Sequence, residues 1–498
     1  SGHLFDRQIQ YPIWEPTQAK LQHWVADLGV GGVILLGGSG AEISLRCQQL
    51  QNWAEIPLLM AADIEEGVGQ RFAGATWFPP PMALSAIAKT NPTLAVELAE
   101  KMGEITAQEA LQIGLNWVLA PIVDVNNNPQ NPVINVRAFG EDPATVIELT
   151  SAFIKGAQKQ PVLTTAKHFP GHGDTAVDSH LDLPVLTHSS TRLAEIELPP
   201  FQAAIASGVD GVMSAHLVIQ AWDDQLPATL SHRILTGELR EKLGFSGLIV
   251  TDALVMGAIA DRYGANEAPV MALEAGADIL LMPLDPPGAI AAIEEAVKIG
   301  RITPERIRES VKRIWEAKAK LSENSAQLCD LASPESEAVV QQILQASQSV
   351  YHSVPLPIPT PEQKLRNLIV VDDALTVDYL NLQAPAITYP KQRGYHLEIS
   401  DRHTPKNLDL NSSSHYSATL LQLFIRGNPF RGSAGLTPMA QTWFKHLLEA
   451  KELQALVIYG SPYLVEQFLP HLPPEIPCIF SYGQMPTAQA IALETLFP

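Results

Sequence analysis

The sequence predicts an α/β protein built on a barrel of parallel strands of the (β/α)8 TIM type, followed by a smaller C-terminal α/β sandwich domain. Three observations carry this. The chain has 498 residues, more than one hydrophobic core usually supports. Short apolar runs alternate with helical segments through its first two-thirds, and the composition changes at a cluster of prolines, Pro355, Pro357, Pro359 and Pro361.

The strand candidates are Gly32 to Leu36, Leu58 to Asp63, Trp117 to Pro121, Val162 to Lys167, Gly211 to Ser214, Leu248 to Thr251 and Asp278 to Met282. Each is short, rich in β-branched residues and apolar on both faces, as a parallel strand covered by helices must be. Between them, Pro92 to Ile113, Pro143 to Gln158, Pro200 to Ser207 and Ala268 to Ala275 read as helices, with Pro or Asn at their starts and Gly near their ends. Seven strands rather than eight imply a barrel that is irregular or lacks its first strand. An amphipathic helix over Arg301 to Lys320 carries Ile307, Val311, Ile314 and Trp315 on one side. Leu368 to Val371, Thr419 to Phe424, Ala455 to Tyr459 and Cys478 to Tyr482 read as strands of the second domain. The expected division is a catalytic barrel over 1–335, a connecting helix and Pro-rich linker over 336–364, and the second domain over 365–498.

Composition narrows the partners. Lys and Arg number 33 against 53 Asp and Glu, a formal charge of -20 that repels nucleic acid and anionic membranes. A small, neutral substrate is expected, with a monomer as the working form. Cys47, Cys329 and Cys478 are far apart and form no CxxC pair, so neither a disulfide framework nor a cysteine zinc site is implied. No apolar run is long enough to span a membrane, and Ser1-Gly2-His3 does not open a signal peptide. The compartment is left open: cytoplasmic if the chain is near full length, periplasmic or secreted if a leader was removed.

In such a barrel the chemistry sits where strands end. Here those ends read Asp63-Ile64-Glu65-Glu66-Gly67, Lys167-His168-Phe169-Pro170-Gly171-His172-Gly173, Ser214-Ala215-His216 and Thr251-Asp252-Ala253. One such Asp or His would be read as a helix cap or a satisfied loop side chain, but four polar endings on one rim favour a site. Asp252 closes the apolar run Leu248 to Val250, where an ionised carboxylate needs partners or a task. The stretch Lys167 to Pro184 concentrates His168, His172 and His180 with Asp174, Asp178 and Asp182. His168, His172, Asp174, Asp178 and His180 have zinc-ligating side chains, but the spacing lacks a helical HExxH pair and no cysteine contributes, so no metal is expected. Asp178-Ser179-His180 instead suggests a carboxylate that orients an imidazole and raises its basicity.

These segments carry a resemblance. KHFPGHG followed by DSH, with Asp63 to Phe72 and Thr251-Asp252, is similar to the glycoside hydrolase family 3 enzymes and specifically to their bacterial β-N-acetylglucosaminidase branch. The resemblance covers roughly Leu4 to Lys320 and implies hydrolysis of terminal β-linked N-acetylglucosamine (GlcNAc) without a cofactor. It implies Asp252 as nucleophile, His180 as acid/base and Asp178 as its tuning partner. Lys167, His168, Asp63, Arg71 and Arg137 correspond to the family's sugar-binding residues, and His216 to a lesser lining position. One departure is local: the family's Asp-x-Glu-Gly-Gly stands here as Asp63-Ile64-Glu65-Glu66-Gly67. Cell-wall fragments and chitooligosaccharides both fit the implied substrate. A phosphorylase, a β-glucosidase or β-xylosidase, a metal-dependent hydrolase and a non-catalytic carbohydrate-binding protein are the competing readings.

Overall fold

The computed structural model of the protein describes residues 15–175, 183–322, 330–352, 356, 364–374, 377–404, 416–426 and 438–497. The chain divides into two compact units between Val339 and Val340.

In the first unit six strands form one parallel sheet: β1 (Gly32–Ile34), β2 (Leu59–Ala62), β3 (Trp117–Val118), β4 (Leu163–Phe169), β5 (Gly211–Ser214) and β6 (Leu248–Thr251). Their order in space is their order in the chain. A sheet wound in one direction curls, and the packing shows that this one does. Ile34, Leu59, Trp117, Leu163, Met213, Leu248 and Val250, drawn from all six strands, meet in one core with Ile279 and Leu281. Residues of one face can share a core across six strands only if that face is concave. The other face packs Ala166, Val212 and Ile249 against Phe201 and Ala204 of the helix Leu198–Ala206. Burial on both faces explains the near-continuous apolar character of these strands.

The seventh expected strand is present as an extended segment rather than a full ladder. A single parallel bridge joins Val250 to Ile279, supported by the bond from Thr251 N to Ile279 O at 3.1 Å. Met282 then turns to φ 47°, which ends the extended run. Among the described residues no ladder joins this segment to β1, so the sheet is a curled half-barrel.

The helices follow their sequence signals. Asn91 caps Pro92–Gln112 by accepting from Leu94 N, and Asp142 caps Pro143–Ala157 by accepting from Thr145 N, each with proline opening the first turn. These two helices cross closely because each has a glycine at the contact. A Cβ on Gly103 would lie 2.1 Å from the Phe153 carbonyl oxygen, and one on Gly156 1.9 Å from that of Glu100.

The second unit contains β7 (Ser349–Tyr351), β8 (Leu365–Val371), β9 (Tyr395–Ser400), β10 (Ala418–Ile425), β11 (Leu453–Gly460) and β12 (Cys478–Ser481). Their order is β7-β12-β11-β10-β8-β9, parallel except for β7. The order reverses at β8, which makes this sheet doubly wound, unlike that of the first unit. Among the described residues, no helix is long and apolar enough to cross a membrane.

The end of the first sheet where the strands begin is held by buried ions. Asp278 accepts from Arg240 Nη2 at 2.7 Å, Arg313 Nη1 at 3.0 Å, Ser310 Oγ at 2.6 Å and Ile249 N at 3.0 Å. This ties the helix Pro304–Ser322 to the sheet. Asp278→Ala strands the two arginines and should cost the first unit about 3–5 kcal/mol. Urea unfolding checks this; a loss below about 1 kcal/mol would mean that Asp278 is not a staple.

Candidate active site

The opposite rim, where the strands end, gathers most of the candidate residues. Lys167 lies in β4 with its side chain 2% exposed. Its Nζ is 2.7 Å from Asp63 Oδ1, just past β2, and 2.7 Å from Glu65 Oε1. Glu65 accepts a two-pronged bond from Arg137, with Nε to Oε2 at 2.9 Å and Nη2 to Oε1 at 2.8 Å. Arg137 also donates to the Val133 carbonyl at 2.8 Å, and Arg71 Nε donates to the Asp63 carbonyl at 3.1 Å. Asp63, Arg71, Arg137 and Lys167 therefore form one network with Glu65 at its centre.

Burial alone would neutralise these groups, and their neighbours prevent it. Glu65 is penalised by burial, yet Arg137 and Lys167 hold its carboxyl well below the usual carboxylate range. Lys167 is likewise penalised by burial, but Asp63 and Glu65 raise its pKa above the ordinary lysine value. For Arg137 burial is again outweighed, chiefly by Glu65. All three stay charged.

A second network surrounds Asp124, in the segment that follows β3. It accepts from His168 Nδ1 at 2.8 Å and from His172 N at 2.7 Å, and burial is outweighed by these donors so that its pKa lies below the ordinary aspartate value. His172 Nδ1 lies 2.9 Å from Thr175 Oγ1. Among the described residues no group of three or more His, Cys, Asp or Glu is arranged to hold a metal ion.

Asp252 follows β6, and its Oδ1 accepts from Ala253 N at 2.7 Å. Its charge acts on His172, which links it to the Asp124 network. His216 is fully buried behind it, with Nδ1 2.8 Å from Thr229 Oγ1 and Nε2 3.0 Å from the Ala253 carbonyl. Asp178 and His180 lie outside the described residues. The chain on either side of them is paired, with Asp174 Oδ2 2.9 Å from His188 Nε2 and 3.6 Å from Arg192 Nη2.

The sequence shows Glu65 only as part of the strand-end run Asp63-Ile64-Glu65-Glu66-Gly67, with no role assigned to it, and does not single out Asp124. Both follow strand ends, so the rule that found Asp63 and Asp252 could have found them.

Against known proteins, residues 7–317 match the model of the glycosyl hydrolase family 3 N-terminal domain, and residues 358–498 match that of the bacterial family 3 C-terminal domain. The chain belongs to glycosyl hydrolase family 3. It is 34% identical to beta-hexosaminidase A of Pseudoalteromonas piscicida over 340 residues, 62% of this chain and 56% of that protein. It is 30% identical to the beta-N-acetylglucosaminidase/beta-glucosidase of Cellulomonas fimi over 371 residues, 71% of this chain and 64% of that protein. The matches thus span less than two-thirds of either relative. A family 3 beta-N-acetylglucosaminidase from Paenibacillus sp. FPU-7 superposes with a TM-score of 0.80 at 30% identity, covering 96% of this chain and 93% of that one.

The buried imidazole gives the site a pH signature. Burial pushes the His172 pKa from its ordinary 6.5 down to about 4, with Asp124 opposing the drop. The unfolded chain therefore takes up this proton first as pH falls. The stability contribution is complete above about pH 6.5 and is lost between there and about pH 4, by about 3 kcal/mol in total. Urea unfolding at pH 7, 5.5 and 4 should show this loss in the parent and a shallower one in His172→Asn. Equal losses would place the proton uptake elsewhere.

Proposed function

We propose that the chain is a retaining exo-β-N-acetylglucosaminidase, releasing terminal β-linked GlcNAc from peptidoglycan fragments or chitooligosaccharides. The observation that carries the reading is the network of Lys167, Asp63, Glu65 and Arg137 at the strand ends. Two cations offset two anions in a largely buried cluster, giving fixed donors and acceptors without net charge. That suits the hydroxyls of a neutral sugar ring. The names of the similar proteins from P. piscicida, C. fimi and Paenibacillus support N-acetylated hexosides as the substrate class. An irregular (β/α)8-type barrel belongs to the same reading, supported by the single core that strands β1 to β6 share with Ile279 and Leu281.

In the proposed reaction a carboxylate oxygen of Asp252 attacks the anomeric carbon while His180 gives its proton to the departing glycosidic oxygen. Asp178 favours the protonated imidazole for this step. Water then attacks the glycosyl ester on Asp252, and neutral His180 accepts the water proton as GlcNAc leaves. Asp63, Arg71, Arg137, Lys167 and His168 hold the terminal sugar, and His216 supports the Asp252 turn from behind.

Hydrolysis of 4-nitrophenyl β-N-acetylglucosaminide and 4-nitrophenyl β-glucoside, with and without phosphate, tests the reading. The N-acetylated substrate should be preferred, and GlcNAc rather than its 1-phosphate released. Asp252→Asn should abolish turnover. His180→Ala should lower it by roughly 10² to 10⁴ on natural linkages and less on the nitrophenyl substrate, whose leaving group needs little protonation. Preference for the glucoside, or full activity of Asp252→Asn, would sink the assignment.

A further inference from the structure

His168 is 6% exposed and presents two N–H groups to one carboxylate. Its backbone N–H lies 3.2 Å from Asp124 Oδ1 and 3.1 Å from Oδ2, and its Nδ1 lies 2.8 Å from Oδ2. Asp124 Oδ1 also receives the His172 backbone N–H at 2.7 Å, and the aspartate is only 1% exposed. A carboxylate held by that many donors has no proton of its own and can only accept. The contact at Nδ1 therefore requires the imidazole proton to be on Nδ1. Among the described residues His168 Nε2 has no hydrogen-bond partner.

We propose that Asp124 is a positioning residue that fixes the tautomer of His168, so that the neutral ring meets the substrate through the Nε2 lone pair and accepts a hydrogen bond from a sugar hydroxyl. The nature of the substrate rests on the glycosidase reading; the tautomer does not. Lys167, next in the chain, can only donate. Adjacent residues then offer one donor and one acceptor, a pattern that matches a ring carrying neighbouring hydroxyls.

Asp124→Asn inverts this arrangement. The asparagine carbonyl must keep the His172 and His168 backbone N–H groups, which puts its amide nitrogen opposite His168 Nδ1. That nitrogen donates, so Nδ1 must become the bare atom and the imidazole proton must move to Nε2. The sugar then meets a donor where it had an acceptor. A hydroxyl can reorient and recover part of the contact, so kcat/KM on 4-nitrophenyl β-N-acetylglucosaminide should fall about 10- to 100-fold.

Two measurements test the proposal. In the free protein labelled with 15N-histidine, with His168→Gln assigning the signal, the wild type should show His168 protonated on Nδ1 alone at pH 8, and Asp124→Asn should show it protonated on Nε2. In kinetics, the double variant Asp124→Asn/His168→Gln should lie within about two-fold of His168→Gln, because Asp124 acts through the ring. A wild-type ring protonated on Nε2 alone or on both nitrogens overturns the proposal, and so do additive losses in the double variant. If Asp124→Asn does not fold, the wild-type spectrum still decides. If the tautomers are as expected while no nitrophenyl glycoside is cleaved, the glycosidase reading fails and the role of Asp124 stands.

Discussion

The site depends on keeping an ammonium group charged in a place that water barely reaches. Lys167 sits within a sheet buried on both faces, where a lone cation would lose its proton or disrupt the fold. Asp63 and Glu65 prevent this, and Glu65 is in turn held by Arg137. Removing any one member leaves its partner charged, buried and unmatched, so the four act as a unit. The cluster binds β2, β4 and the turn Asn135–Arg137 into one rigid rim before any substrate arrives. A neutral cluster of this kind also lets a chain of net charge -20 offer fixed polar contacts without an added field.

The two ends of the sheet divide the work. Where the strands begin, Asp278 and Asp210 are saturated by arginine, lysine and backbone donors, and these contacts hold the helix Pro304–Ser322 in place. Where they end, the buried charges face one another around a polar rim, and His168 keeps a ring nitrogen without a described partner. The first arrangement serves stability. In the proposed function the second offers its hydrogen-bonding capacity to the sugar, as expected of the carboxyl end of parallel strands.

Much of this could be read from the chain because it is local. The alternation of apolar runs and capped helices located all six strands of the first sheet, and polar residues at strand ends pointed to Asp63, Lys167, His168 and Asp252. The seventh run looked like its neighbours in composition, yet it joins the sheet through one bridge, because what ends it is the backbone turn at Met282. The second unit resisted further. β9 is an edge strand whose middle residues are mostly exposed, so it lacks the apolar run that marked its neighbours. The order of its sheet depends on pairings between distant segments. The role of Glu65 is hidden for the same reason: its partner Arg137 is 72 residues away, and the nearer Arg71 donates to the Asp63 carbonyl. Asp124 was missed because it lies three residues beyond an expected strand that itself formed only over Trp117–Val118.

The proposed chemistry turns on whether Asp252 becomes covalently bound to the sugar. Forming that ester from 2,4-dinitrophenyl β-N-acetylglucosaminide needs no proton from His180, whereas its breakdown needs His180 as base. In His180→Ala the ester should therefore accumulate. Mass spectrometry of the quenched, digested variant should find one N-acetylglucosaminyl group on the peptide that contains Asp252. No adduct under turnover conditions, or an adduct on another residue, would contradict the assignment of Asp252 as nucleophile.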